Sequence, residues 1–186
     1  GETVAVLGAS GGAGLAAVEV ARQLGAKVIA VASSEAKLDV CRAHGADMAL
    51  NYSETDLKQG LRDLTDGRGV DVVYDCVGGP HAEQALRSIA WLGRFLVVGF
   101  AAGEIPRIPL NLVLLKCCDI AGVFWGEVAE REPALQATNT ERVLSWISVG
   151  RFEPHVHSRI PLSRIVEGIK LLDARQVRGK VIVDID

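Results

Sequence analysis

The sequence lacks the ligand spacing of a zinc site or a disulfide scaffold: its four cysteines, Cys41, Cys76, Cys117 and Cys118, contain no CxxC pair. They fall in apolar or helical stretches, where a free thiol packs as a small hydrophobe. A strong charge of either sign is also missing. Twenty Lys and Arg against 23 Asp and Glu leave a net charge of −3, with both signs scattered, which speaks against a nucleic-acid surface and a polybasic membrane patch. No apolar run reaches the length of a membrane span, and residues 1–3 lead straight into a buried-strand pattern without the layout of a signal peptide. A reduced, cytoplasmic setting is expected. Opening a strand at residue 3 is abrupt, because chain ends are usually loosely held, so the chain reads as a piece of a longer protein. There is no repeat of fixed period and no low-complexity linker.

What is present is 49% hydrophobic content over 186 residues, enough for one core. Residues 4–7 form a short apolar run closed by glycines, and Leu15, Val18, Ala21 and Leu24 then recur at helical spacing up to Gly25. Residues 27–32 repeat the strand signature, with Ser34 as N-cap of a helix to about residue 45. Residues 48–51 make a third strand, followed by a helix capped by Ser53 to about residue 64. Strands at 70–74, 95–98 and 120–123 follow, separated by helices at 81–90 and 110–116. Apolar strands alternating with helices imply a parallel sheet covered on both faces, and six of them in two halves give the doubly wound α/β dinucleotide fold, the Rossmann fold. Past residue 130 the texture changes: helices at 133–149 and 162–172, an extended piece at 152–157 and a last strand at 181–185 do not extend the repeat.

The first turn reads Gly8-Ala9-Ser10-Gly11-Gly12-Ala13-Gly14, the dinucleotide spacing with alanine at the first glycine position. Gly11 lets backbone approach a pyrophosphate, Gly14 lets helix pack on strand, and the helix amino terminus offers free N–H groups to the anion. About 20 residues on, where an NAD-preferring domain carries an acid for the ribose hydroxyls, stand Ala32, Ser33 and Ser34. Small hydroxyl residues followed by Lys37 suit a 2′-phosphate, so NADPH is the expected cofactor; Glu35 works against that preference. Three further strand ends point to the same crevice: Asp75 to Gly79, Gly99-Phe100-Ala101 and Phe124-Trp125-Gly126. Gly8-Ala9-Ser10-Gly11-Gly12 also has the outline of a nucleophile elbow with His155 or His157 as partner, but a hydrolase is not expected. No catalytic residue is identified and no metal is expected.

These residues resemble the NADPH-dependent quinone oxidoreductases, the zinc-independent branch of the medium-chain dehydrogenase/reductase superfamily. The resemblance rests on the glycine turn, residues 33–37, Gly45-Ala46-Asp47 with Asn51-Tyr52, residues 75–79, residues 122–126 and Gly179-Lys180-Val181, and it covers nearly the whole chain. It implies that Lys37 and Tyr52 bind the 2′-phosphate and adenine side, that the turn binds the pyrophosphate, and that Val77, Gly78, Phe100, Phe124 and Trp125 line the ribose and nicotinamide side. Arg178 and Lys180 are similar to the basic end that also reaches the phosphate. The resemblance further implies a GroES-like domain outside this chain, so that residues 1–150 are the dinucleotide-binding domain and 151–186 return to the other. It implies a homodimer through the strand between Cys118 and Phe124, and hydride transfer from NADPH to a quinone or another α,β-unsaturated carbonyl. An enoyl thioester reductase of the same superfamily and a non-catalytic, crystallin-like NADPH-binding protein are the alternatives.

Overall fold

Fully apolar strands need cover on both faces, and the computed structural model, which describes residues 1–185, places a parallel sheet between two helical layers. Strands β1 (Thr3–Leu7), β2 (Lys27–Ala32), β3 (Met48–Asn51), β4 (Val70–Asp75), β5 (Ile89–Val97) and β6 (Asp119–Gly122) lie in the order 3-2-1-4-5-6, every pair parallel. The order reverses between β1 and β4, which sets the ligand crevice beyond their carboxyl ends. The expected doubly wound fold is the fold observed. One face packs Ala5, Leu7, Ile29 and Val31 against α3 (Leu57–Asp63), α4 (Pro80–Arg87) and α5 (Asn111–Lys116). The other packs Val6, Val28 and Ala30 against Leu15 and Val18 of α1 (Gly12–Gln23) and Leu38 and Cys41 of α2 (Glu35–Ala43). Alternate residues of β1 and β2 therefore serve opposite cores, each fully buried Leu, Ile or Val contributing about 1.5–3 kcal/mol.

Local chemistry moves several expected boundaries. The third helix is capped by Asp56, whose carboxylate accepts Gln59 N–H at 2.8 Å, because Ser53 is engaged in the preceding turn through Asn51 Oδ1 and Ser33 O. The helix expected over 81–90 stops at Arg87. Ser88 folds its hydroxyl back to Gln84 O and its carbonyl accepts Val70 N–H, so the apolar run from Ile89 enters β5, whose pairing with β4 slips between Val70 and Val72.

Beyond β6, a helix not expected from the sequence, α6 (Trp125–Arg131), precedes α7 (Pro133–Ser148); neither buries a residue. The extended piece expected at 152–157 lies later, as β7 (Val156–Pro161), which pairs in parallel with β8 (Lys180–Asp184) across α8 (Ile165–Asp173). This βαβ unit is a separate two-stranded sheet. It is tied to the first by a bridge between Gly11 and Gly179, with Gly179 N–H donating to Ser10 O at 2.8 Å.

Candidate functional site

The glycine turn is built from backbone necessity. Gly8 has φ +66°, and Gly14 packs so closely on it that a Cβ would fall inside the Gly8 carbonyl and 2.8 Å from Ala9 Cα. Gly11 caps α1 without any side-chain hydrogen bond, and the first turn carries no acid. The helix therefore presents its amino-terminal N–H groups uncapped, the arrangement that receives an anion.

A cleft of about 580 Å³ opens on this turn. Ser10, Gly11, Gly12, Ala13 and Gly14 form its floor, Ser33, Lys37 and Tyr52 one end, and Val77 and Ala101 the other. Lys37 Nζ lies 3.0 Å from Ser33 Oγ, an i,i+4 approach made by the first turn of α2. Glu35 lies outside the lining and pairs with Arg42 at 3.0 Å, as does Asp39 at 2.7 Å, which draws both acids of α2 toward a guanidinium. Tyr52 rests on the His81 ring, centroids 4.5 Å apart. At the far end the buried Asp75 carboxylate accepts N–H from Val77 at 2.8 Å and Gly78 at 2.9 Å. Burial raises its pKa, opposed by those two hydrogen bonds. Ala101 N–H donates to Cys76 O and Ala102 N–H to Val77 O, so the loops after β4 and β5 are tied to each other.

Not every expected residue converges. Ala9 is fully buried under the turn and Gly78 and Gly99 support the loops from behind; a Cβ on Gly78 would meet Phe100 at 2.8 Å. Phe100 lines a separate apolar hollow of about 170 Å³ with Ile105 and Ile108. Phe124 is 73% exposed, and Trp125 opens α6 beside a neighbouring groove shared with Lys180. Neither aromatic reaches the cleft, because β6 is the outermost strand and its end lies away from the reversal between β1 and β4. Arg178 contacts Ala36 O at 3.4 Å on the outside of α2. Lys180 Nζ lies against Gly12 of the turn, where a Cβ would meet it at 2.7 Å, and Arg175, not expected from the sequence, lines the cleft with Leu172, Asp173, Val177 and Gly179.

Nothing in the lining is a poised nucleophile. Burial, followed by the charge of Asp75, pushes the Cys76 thiol up to about 11, and the thiol donates to Leu7 O. His155 contacts His44 at 3.4 Å rather than Ser10. The arrangement can bind and orient an extended anionic ligand.

A protein-family model described as "Zinc-binding dehydrogenase" matches residues 12–140. The chain belongs to the medium-chain dehydrogenase/reductase family, in its quinone-oxidoreductase-like group. Quinone oxidoreductase-like protein 2 of Bos taurus is 38% identical over 186 residues, all of this chain and 53% of that protein. Among solved structures, an NAD-dependent alcohol dehydrogenase superposes with TM-score 0.88 at 31% identity, covering 100% of this chain and 52% of the other. Escherichia coli quinone oxidoreductase complexed with NADPH superposes with TM-score 0.85 at 28% identity, over 98% and 56%. The chain thus spans about half the length of these family members, and the family is one of oxidoreductases. Zinc appears in the family description, yet no three His, Cys, Asp or Glu side chains converge among the described residues, so the donor set does not fit a metal ion.

Proposed function

We propose that this chain is the NADPH-binding part of an oxidoreductase that delivers hydride to a quinone or another α,β-unsaturated carbonyl. The observation that carries the reading is the single cleft joining an uncapped helix amino terminus to Lys37, Ser33 and Tyr52. The turn holds the pyrophosphate through backbone N–H groups, and Lys37 and Ser33 hold the 2′-phosphate, assisted by Arg175 of the C-terminal segment lining the same cleft. Tyr52 offers a flat surface to the adenine, and Val77 with Ala101 keeps water from the nicotinamide end. When bound, the cofactor supplies the hydride; the protein supplies distance, orientation and dryness. The lining contains two cationic side chains, Lys37 and Arg175, against one acid, Asp173, which favours the phosphorylated cofactor over NADH.

Residues 151–186 belong, on this reading, to a second, GroES-like domain that supplies the acceptor side. The lone β7–β8 pair and the exposed apolar face of α8, with Val166, Ile169 and Leu172 each more than half exposed, support that division. A homodimer through β6 is part of the same reading: β6 is a sheet edge that exposes Ile120, preceded by the exposed Leu114 and Leu115 of α5, and such an edge invites pairing. A cytoplasmic setting accords with four unpaired cysteines. The test is NADPH oxidation by the full-length protein, followed at the nicotinamide absorbance with quinones, simple enones and enoyl thioesters in turn. Turnover with quinones or simple enones is expected; turnover with thioesters alone, or with no acceptor while NADPH still binds, would overturn the substrate class.

A further inference from the structure

We infer that Glu19, His44 and His155 form a proton-sensitive latch that positions the C-terminal wall of the nucleotide cleft. The three side chains come from α1, from the residue that closes α2, and from the segment entering β7. They meet beside a second cleft of about 680 Å³, distinct from the glycine-turn cleft. Glu19 is a buried carboxylate in the helix that begins at the glycine turn, its side chain 8% exposed. It accepts from His44 Nδ1 at 3.1 Å and from Glu153 N–H at 3.1 Å. His44 Nε2 then faces His155 Nδ1 at 3.4 Å, the rings edge to face at 87°.

The hydrogen-bond pattern fixes where protons sit. A carboxylate only accepts, so His44 carries its proton on Nδ1 and, when neutral, presents a lone pair at Nε2. The proton in the contact between the two rings therefore belongs to His155. Protonating both rings would set two imidazolium cations against each other at hydrogen-bond distance, and the contact must open.

His155 also anchors the cleft wall. Its carbonyl accepts Lys180 N–H at 3.0 Å, and the adjacent Gly179 N–H donates to Ser10 O of the glycine turn. Gly179, at φ +69°, packs so tightly on His155 that a Cβ would strike its carbonyl oxygen. Releasing the His155 ring therefore loosens the strand start that carries Gly179 across the turn. The surrounding charge opposes protonation: Arg22, Arg42 and Arg151 line the same cleft, Arg42 being largely neutralised by Glu35 and Asp39, while Glu153 supplies a further acid. Burial above all, then His44, Arg178 and His157, holds His155 below its ordinary value of 6.5, with Glu19 opposing. A histidine depressed in the fold favours the docked state above that ordinary value and loses its contribution as the pH falls.

The test is hydrogen exchange of the chain without cofactor from about pH 8 to about pH 5, expressed as protection relative to intrinsic rates. Protection at Glu153, Gly179 and Lys180 is expected to fall together below about pH 6.5, by up to about tenfold per pH unit for each proton taken up. His155→Gln and His44→Gln, which keep an amide but do not titrate, should flatten that profile. A flat wild-type profile, or an unchanged fall in both variants, would overturn the latch. Its effect on the cofactor rests on the NADPH reading and is measured separately: NADPH affinity should fall over the same range, whereas no NADPH binding at about pH 8, with the latch closed, would count against that reading alone.

Discussion

Replacing Gly14 by alanine separates packing from ligand binding at the glycine turn. The new Cβ would lie 2.8 Å from both Ala9 Cα and Gly8 C and closer still to the Gly8 carbonyl oxygen. All three are backbone atoms, so no side chain can rotate away. Restoring a carbon–carbon distance of about 3.5 Å or more requires α1 to retreat from β1 by roughly 1 Å. Overpacking of that kind costs about 3 kcal/mol at the upper end of the usual range. At about 2–4 °C per kcal/mol for a domain of this size, the melting temperature should fall by about 6 °C or more. Gly11→Ala is the control: its Cβ finds only the Gly8 oxygen at 3.4 Å, and its φ of −77° suits any residue. That variant should melt within about 2 °C of wild type yet bind NADPH at least about tenfold more weakly, because the methyl group projects where the proposed function puts the pyrophosphate against backbone. Differential scanning calorimetry and a fluorescence titration read the two effects. A Gly14→Ala protein with unchanged melting temperature would refute the packing argument, and a Gly11→Ala protein with unchanged affinity would refute the placement of the pyrophosphate.

Lys37→Ala should lower NADPH affinity about tenfold, the scale of one lost charged hydrogen bond, and leave NADH affinity unchanged in the same titration. Asp75→Ala strands the Val77 and Gly78 N–H groups and should cost about 2–4 kcal/mol by denaturant unfolding. Asp75→Asn keeps the accepting oxygen and removes the buried charge. Because burial raises the Asp75 pKa, its contribution to stability is complete below its ordinary value of 3.8 and is lost as the pH rises through the raised value. Asp75→Asn should therefore match or exceed wild-type stability near neutral pH, with the difference vanishing in acid. For the homodimer proposed through β6, Ile120→Lys on that open edge should leave only monomer in sedimentation analysis, with the melting temperature of the six-stranded core within about 2 °C of wild type.

The parts of the site that depend on nearest neighbours were legible in the sequence. Gly8 to Gly14 is a local solution to joining a buried strand to a helix, and Ser33 just before α2 meets Lys37 of its first turn because the two are four residues apart. The element order was legible for the same reason, since strands that serve two cores carry apolar residues on both faces. What depends on distance along the chain was not. Arg175 and Asp173 reach the cleft only because β7, α8 and β8 fold into a separate unit whose end crosses the turn at Gly179, and no local pattern carries that information. Phe124 and Trp125 were expected at the cleft because they follow a strand, but the strand is the outermost one, and a carboxyl end counts as crevice only near the reversal of strand order. The start of β5 is hidden in the sequence because Ile89-Ala90-Trp91 is a short apolar run that suits helix and strand alike until Ser88 closes the preceding helix.

The central claim, a cleft that selects a nicotinamide cofactor carrying a 2′-phosphate, is tested most directly by titrating this chain with NADPH and NADH in parallel and following nicotinamide fluorescence. Binding of NADPH at least about tenfold tighter than NADH is expected from Lys37 and Arg175 at the phosphate end. Equal affinity for the two, or a preference for NADH, would contradict it.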